Sequence, residues 1–329
     1  MKGLNKKDTL FRIFLCIILL TIFGLFFFAY KTSNACLCSK ESMTNVSGVS
    51  DNEFSFGNES SSDIPNIIWG FWDGELTETV KTCVQSWKHY NPEYEVIILN
   101  KQNLPKYLPD VDFATIVHAK DSNARFSDFV RLNILARYGG IYIDASTICH
   151  KPFSWLHAIQ KKKGVDFIGY YLEKFTDPKY KEYSPVIESW FLASTPNSRF
   201  VVDWLKEFMR TNEYLTMDEY LENVTNNNIS IQKIDIPNYL AIHVAAQTIL
   251  QKNPQKYDIY LFPAESGPYK YLVDTNWTVK DAVDLLTNKD TNTKYFELPI
   301  IKMRGCERPH IDVDPKRDNA FSHLVVDKV

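Results

Sequence analysis

The chain has 329 residues, of which 45% are hydrophobic and 14% aromatic, so it can bury one large core and is not a small disulfide-stapled scaffold. Its 37 basic and 40 acidic residues give a formal net charge of -3 and form no basic stripe. This distribution argues against a nucleic-acid partner.

An uncharged apolar run occupies residues 13–30. As a helix, at about 1.5 Å per residue, it would cross most of a hydrocarbon core about 30 Å thick. Basic residues lie before the run, at Lys2, Lys6, Lys7 and Arg12, and only Lys31 follows it closely. The positive-inside rule therefore predicts a cytoplasmic tail at 1–12 and a single-pass type II signal-anchor at 13–30. The alternative is a cleaved signal peptide, for which the run is long and the cleavage site poor.

Residues 31–63 are rich in Ser, Asn, Glu and Gly, which predicts a flexible stem. Cys16 lies in the apolar run, Cys36 and Cys38 follow it, and three cysteines lie further on: Cys83, Cys149 and Cys306. In an oxidising lumen two of these three could pair, and Cys36 or Cys38 could join two stems into a homodimer.

Five N-glycosylation sequons agree with a lumenal location in the ER or Golgi without proving it. They begin at Asn45, Asn58, Asn223, Asn228 and Asn276.

Beyond the stem, apolar runs and helical periodicities alternate over residues 64–329. Strands are predicted at 64–72, 94–99, 141–144, 165–171, 186–194, 259–262 and 298–303. Helices are predicted at 79–90, 127–138, 199–210, 239–251 and 279–286. The alternation predicts one α/β domain with a mostly parallel sheet covered by helices on both faces.

The most informative segment covers residues 125–146, RFSDFVRLNILARYGGIYIDAS. Ser127 is the predicted N-cap of a helix, and Asp128 in the first turn suits the positive end of the helix dipole. Asp128 and Arg131 share one helix face, so both can reach a polyhydroxylated ligand beside it.

A glycine pair and a short strand follow that helix. Gly139 and Gly140 suit a helix stop and a close backbone approach. The strand ends at Asp144, and ligands of open α/β sheets bind beyond the carboxyl ends of strands. Singly, such an Asp and Arg are usually a solvated ion pair. Their order and spacing together indicate a ligand site.

In this order and spacing the segment resembles the signature of sugar transferases with a DXD motif, in glycosyltransferase family 32 and the capsular polysaccharide synthesis family. The resemblance extends to the run IPNIIWGFW at 64–72 and covers residues 64–196 well. It implies a GT-A-like fold, Rossmann-like with helices on both faces of the sheet. It also implies transfer of a hexosyl group from a nucleotide-sugar donor to a glycan or glycolipid acceptor, with retention of configuration.

The resemblance assigns a role to each matching residue. Trp72 would stack on the donor base, Asp128 and Arg131 would hydrogen-bond the donor sugar, and Asp144 would contact the ribose or a metal. Arg125 and Ser127 complete the donor-binding set of this segment. Mn²⁺ or Mg²⁺ suits the chemistry because a nucleoside diphosphate leaves with developing negative charge.

This chain departs from the motif at Ser146, where the family has its second aspartate. A hydroxyl is a weaker metal ligand than a carboxylate. The basic segment 302–310 could compensate, with Lys302 and Arg304 neutralising diphosphate oxygens and His310 completing a metal site with Asp144 and Ser146. The alternative for this segment is a charged loop near the end of the domain.

Other polar candidates are weaker. Trp190 and Glu188 share a strand that could pass under the acceptor, although a Trp in such a strand is more often a core residue. His243 and Gln247 lie one turn apart on an apolar helix, where a His is usually a core residue. Two functions therefore stand. One is a Golgi-type hexosyltransferase, and the other, motivated by Ser146, is a catalytically degenerate relative that binds carbohydrate or supports a partner enzyme.

Overall fold

The central sheet is built from the buried apolar runs of the sequence. The computed structural model describes residues 54–56, 63–287, 295 and 297–311, which belong to the larger of two units of the chain, Met43–Val329. The strands of this part are β1 Phe54–Phe56, β2 Ile67–Phe71, β3 Glu95–Leu99, β4 Gly140–Ile143, β5 Thr147–Cys149, β6 Phe167–Tyr171, β7 Ile187–Ser194, β8 Ile259–Pro263 and β9 Ile300–Lys302.

Seven of these strands form one mixed sheet in the order β1-β8-β6-β7-β4-β2-β3. The pairs β2–β3, β2–β4 and β6–β8 are parallel, whereas β7 is antiparallel to both β4 and β6, and β1 is antiparallel to β8. It follows that five strands run in one direction and that β7 and β1 oppose them. The predicted α/β class with a mostly parallel sheet is confirmed.

Helices cover both faces of this sheet, as predicted. They are α1 Glu78–Tyr90, α2 Leu104–Tyr107, α3 Asn123–Tyr138, α4 Ser154–Lys163, α5 Arg199–Met209, α6 Met217–Asn226, α7 Ala241–Lys252, α8 Lys270–Asp274 and α9 Val279–Thr287. The apolar faces of α3, α5, α6 and α7 form one buried cluster, and those of α1, α4, α8 and α9 form the other. Neighbouring strand residues such as Ile141 and Tyr142 enter different clusters, because side chains alternate across a sheet.

The predicted start of the helix in the signature segment is wrong. Helix α3 begins at Asn123, and Ser122, with an extended backbone, is its N-cap and accepts a hydrogen bond from the Arg125 amide. Ser127 therefore lies inside the helix, and Asp128 is not in its first turn. Either serine fits a cap locally, and burial of Arg125 and Phe126 against the core favours the earlier start.

The last predicted strand is present, but it joins a different sheet. Strand β9 pairs antiparallel with β5 in a separate two-stranded sheet, and Lys302 lies opposite Thr147. Strand β5 and helices α2, α4, α6 and α8 are absent from the sequence prediction. Strand β5 and helices α2 and α8 are short and α4 is only weakly amphipathic, so their periodicity is hard to detect. Helix α6 is amphipathic and begins with a capping box of Thr216 and Glu219, a local signal that could have identified it.

Two further predictions concern the N-terminal region. Strand β1 lies within 31–63, the segment predicted as a flexible stem, and adds an edge strand to β8. The predicted anchor at 13–30 lies outside the described residues. Within those residues, no helix combines the length and apolar character that a membrane span requires.

Candidate functional site

The carboxyl ends of β2 and β4 place two predicted residues at one edge of the sheet. Trp72 directly follows β2, and Asp144 directly follows β4, its parallel neighbour. The Asp144 amide donates to the carbonyl of Trp190 in β7, which holds the chain at the strand end. The Asp144 side chain keeps 29% of its surface exposed, so it remains accessible to a ligand.

Helix α3 brings Asp128 and Arg131 to the same edge. Arg131 Nη2 lies 3.3 Å from Asp128 Oδ1 and 3.3 Å from Asp144 Oδ1. Asp128 and Arg131 are buried, with 7% and 4% of their surface exposed. They are not a solvated surface pair, and the guanidinium lies between the two carboxylates.

Hydrogen bonds hold the Arg131 fork in this position. Nη1 donates to the Ser189 carbonyl at 2.6 Å, and Nη2 donates to Ser127 Oγ at 2.8 Å. The Ser127 hydroxyl in turn donates to the Ala124 carbonyl, and the guanidinium carbon lies 4.7 Å from the ring centroid of Tyr142. Ser127 therefore orients Arg131 instead of capping the helix.

Lys302 completes the polar cluster from the opposite side. Its ammonium lies 3.1 Å from Asp144 Oδ2 and donates to Ser146 Oγ at 2.8 Å and to the Met303 carbonyl at 2.9 Å. The antiparallel pairing of β5 with β9 causes this contact between residues far apart in the chain. We call Asp128, Arg131, Asp144, Ser146 and Lys302 the motif cluster.

The cations of this cluster set the charge states of its carboxylates. Burial opposes ionisation of Asp144, but Lys302 and Arg131 outweigh it and hold the pKa of Asp144 below its ordinary value. Burial raises the pKa of Asp128, against the lowering effects of Arg131 and Arg125. Of the two, Asp144 is the more firmly held as a carboxylate.

Asp144, Ser146 and His310 do not fit a divalent metal site in this arrangement. The Lys302 ammonium already bridges Asp144 and Ser146, and the Ser146 hydroxyl donates to the Met303 carbonyl at 3.0 Å. His310 is exposed in a short 3₁₀ helix. Throughout the described part of the chain, no three or more His, Cys, Asp or Glu side chains form a group that could hold a metal ion.

Arg304, predicted to act with Lys302, has other partners. Its Nε donates to Glu307 Oε1 at 2.8 Å, and its Nη2 donates to the Trp277 carbonyl at 3.1 Å. Glu307 is fully buried, so this ion pair organises the loop after β9. The structure therefore brings Lys302 to Asp144 and directs Arg304 elsewhere.

Trp72 and Arg125 each contact residues outside the motif cluster. The half-buried Trp72 indole donates to the Glu75 carbonyl at 3.0 Å, and the Arg308 guanidinium carbon lies 5.1 Å from its ring centroid. Arg125 donates to the Asn238 carbonyl and lies 3.7 Å from Asp128 Oδ2. Its Nε and Nη1 are buried without a hydrogen-bond partner.

Further polar residues lie near the cluster. His243, predicted to be a core histidine, lies with Nε2 3.6 Å from Glu188 Oε2. Glu265 follows β8 and is absent from the sequence prediction, although its place just beyond the carboxyl end of a strand is a local signal that could have identified it. Arg308 enters the sequence prediction only as one charge in a basic segment.

A cavity of about 490 Å³ lies next to the N-terminal end of α3. Its lining includes Lys101, Leu108, Asn123 and Phe126, but none of the motif-cluster residues. Lys101 pairs with Asp73 at 2.7 Å. The cavity and the motif cluster are therefore separate features.

Known glycosyltransferases are among the proteins similar to this chain. PaToxG glycosyltransferase is 12% identical, with 84% of this chain and 88% of that one covered and a TM-score of 0.35. The glycosyltransferase GlyE from Streptococcus pneumoniae TIGR4 is 11% identical, with 80% and 61% covered and a TM-score of 0.39. Inositol phosphoceramide mannosyltransferase 3 of Schizosaccharomyces pombe is 30% identical over 131 residues. That match spans 39% of this chain and only 33% of the yeast protein.

The match to a protein-family model covers a much larger part of the chain than the match to the yeast protein does. The model of the capsular polysaccharide synthesis protein family matches residues 32–258, more than half of the 329. The matched region includes the whole segment 125–146, which carried the resemblance in the sequence. The chain belongs to the capsular polysaccharide synthesis protein family.

Proposed function

We propose that this chain is a glycosyltransferase of GT-A-like fold that transfers a hexosyl group from a nucleotide-sugar donor to a glycan or glycolipid acceptor. The observation that carries the proposal is the motif cluster, in which Arg131 lies between Asp128 and Asp144 while Lys302 bridges Asp144 and Ser146. Family membership and the mannosyltransferase similarity support it.

Different residues bind different parts of the donor in this proposal. Asp128 and Arg131, held in position by Ser127 and Ser189, are suited to hydrogen-bond the hydroxyl groups of the donor sugar. Trp72 provides an indole face for the base, next to the cationic Arg308. Arg125, whose Nε and Nη1 make no hydrogen bond although Nη1 lies 3.7 Å from Asp128 Oδ2, is also assigned to the donor.

In the transfer we propose, the bond between the anomeric carbon and the diphosphate oxygen breaks as that carbon bonds to the acceptor hydroxyl oxygen. Retention places both oxygens on one face of the sugar, so the hydroxyl proton passes to the departing diphosphate. Negative charge develops on that diphosphate, and a preorganised cation stabilises it most where water is excluded. The Lys302 ammonium, with 7% of the residue exposed, meets this requirement.

We propose that Lys302 takes the position that Mn²⁺ or Mg²⁺ would hold between the two motif residues. A bound divalent cation would supply Lewis-acid stabilisation of the diphosphate. To reach Asp144 and Ser146 it would have to displace the ammonium from both.

A type II topology with a lumenal catalytic domain in the ER or Golgi completes the proposal. Asn228 and Asn276 are exposed and accessible for glycosylation. Cys306 is disulfide-bonded, whereas Cys83 and Cys149 are free thiols. A disulfide is consistent with an oxidising compartment.

The test is turnover of a donor panel by the purified chain. UDP- and GDP-sugars are offered with and without acceptors, and free nucleoside diphosphate is measured. The name of the yeast relative makes a mannosyl donor and inositol phosphoceramide the first pair to test. Release of nucleoside diphosphate supports the transferase, whereas binding of a nucleotide sugar without release would identify a carbohydrate-binding relative.

A further inference from the structure

A second group of buried polar side chains lies beside the motif cluster. Glu188, in β7, and His243, in α7, face each other with Oε2 and Nε2 3.6 Å apart, and they are 7% and 5% exposed. His243 is close enough to Asp128 to lower the pKa of that carboxyl. The two groups are therefore adjacent.

Glu265 belongs to this second group. Its Oε1 accepts a hydrogen bond from the Lys174 amide at 2.9 Å, while its Oε2 is buried without a partner and the residue is 9% exposed. Burial, together with the nearby charge of Glu188, raises the pKa of Glu265 to about 7, against the effect of several backbone amides. Glu188 and Glu265 are thus neighbouring acids at the sheet edge.

Three buried polar atoms in this region have no hydrogen-bond partner. Besides Glu265 Oε2, the buried atoms without a hydrogen-bond partner include His243 Nδ1 and Trp190 Nε1. Such atoms are rare in native proteins and call for a water, an ion or a ligand. The set contains both donors and acceptors, which matches the hydroxyl groups of a sugar.

An aromatic row borders the same place. The Trp190 ring lies 5.5 Å from Tyr269, which lies 5.6 Å from Trp277. Trp277 is half-buried and has a φ of 59°, a backbone conformation that is uncommon for a bulky residue. Such strain is found at ligand sites. The Lys174 ammonium lies 5.3 Å and the Arg304 guanidinium carbon 5.5 Å from the Trp277 ring centroid, and the Lys174 amide is the donor to Glu265.

We propose that Glu188, His243 and Glu265 bind the hydroxyl groups of the acceptor sugar, with Trp277 beside them. This inference rests on the proposed function, because it assigns the motif cluster to the donor. Two carboxyl groups disfavour a diphosphate but accept hydrogen bonds from an uncharged sugar, so the ligand is a neutral glycoside.

The test separates glycoside binding from nucleotide binding. Methyl glucoside, galactoside and mannoside are offered to the full chain and detected by ligand-observed NMR, and UDP and GDP are titrated in parallel. With Glu265→Gln we expect at least about a tenfold weaker glycoside Kd, as for loss of a well-placed hydrogen bond, with nucleotide Kd within about twofold of the parent. Where transfer is measurable, the ratio of transfer to donor hydrolysis should fall by a similar factor.

Asp166→Asn is the matched control. Asp166 precedes β6 at the opposite edge of the sheet, has a pKa raised to about 6 by burial, and also has an unpartnered oxygen. The Asp166→Asn variant should therefore bind glycosides as the parent does. Glu188→Gln is the second variant, and thermal midpoints are recorded for all three.

Several results would overturn the inference. One is a folded Glu265→Gln or Glu188→Gln variant that binds glycosides as the parent does, and another is a parent that binds none of the three. A different result would contradict the proposed function: the parent binds glycosides but releases no nucleoside diphosphate from any donor.

Discussion

At the scale of single residues, Asp128 can be changed with little loss of shape. We expect Asp128→Asn to lower the rate of donor hydrolysis and transfer by about 10²-fold, about 2.7 kcal/mol of activation free energy. The reason is that the carboxylate contacts the donor sugar in the site we propose and also balances the charge of Arg131, from which it lies 3.3 Å. Rates at saturating donor are measured beside the thermal midpoint.

Asp110 provides a matched control. It forms an exposed ion pair with Arg137, which lies in α3, the helix that also carries Asp128. Asp110→Asn should leave both rate and midpoint close to those of the parent. Arg131→Lys would lose the fork that reaches Ser189 and Ser127, so it should lower stability as well as rate. Near-normal turnover by a folded Asp128→Asn variant would remove this residue from the site.

Lys302 is the second residue whose role is open to measurement. Lys302→Met removes the ammonium from Asp144 and Ser146. We expect a rate loss on the order of 10²-fold, because in the transfer we propose the leaving diphosphate loses its preorganised cation. Exhaustive chelation should leave the parent rate largely intact. The double variant Lys302→Met and Ser146→Asp should gain dependence on Mn²⁺. It places a second carboxylate next to Asp144 and removes the ammonium that lies between positions 144 and 146.

Lys151, paired with Glu297 at the surface, serves as the control for charge removal, and Lys151→Met should not change the rate. If chelation abolished parent activity and Mn²⁺ restored it, Lys302 would not be the neutralising group.

At the scale of elements, the turn between α3 and β4 depends on a glycine. Gly139 has a φ of 62°, and a Cβ there would lie 2.5 Å from the Pro196 amide nitrogen and 2.7 Å from the Ser194 carbonyl oxygen. These are backbone atoms, which cannot move away from a new Cβ as easily as the end of a flexible side chain can. We therefore expect Gly139→Ala to lower the free energy of unfolding by more than about 2 kcal/mol, from the strain of the positive φ and the crowding together. Denaturant unfolding measures it.

Gly74 separates those two causes, because it has a φ of 113° but no atom lies within 4 Å of the place that a Cβ would occupy. Gly74→Ala should cost less than Gly139→Ala. Equal losses would show that crowding against Pro196 and Ser194 contributes nothing.

At the scale of the whole molecule, the basic flank before residues 13–30 predicts the topology. Residues beyond about 40 should be protected from protease in sealed microsomes, because the flank retains the N-terminus in the cytosol. Asn228 and Asn276 are exposed and should be glycosylated, which a mobility shift on glycosidase treatment would show. Digestion of the C-terminal part without detergent would contradict the topology.

The sequence by itself determined the parts of this protein that depend on local patterns. Uninterrupted apolar runs predicted β2, β6 and β7 because a strand buried on both faces leaves no polar alternation. Helical periodicity and the glycine pair predicted α1 and the end of α3. The resemblance of residues 125–146 to a known signature predicted the family, which the family match confirms.

Only the tertiary structure decided how the site is assembled. Lys302 meets Ser146 through the pairing of β5 with β9, and Arg131 meets Ser189 across the sheet. The tertiary structure also decided the N-cap of α3. Ser122 and Ser127 fit a cap equally well in the sequence, and the burial of Arg125 and Phe126 selects Ser122. Such contacts join residues distant in the chain, and their free energy comes from packing and desolvation in the folded state. No local period or propensity encodes them.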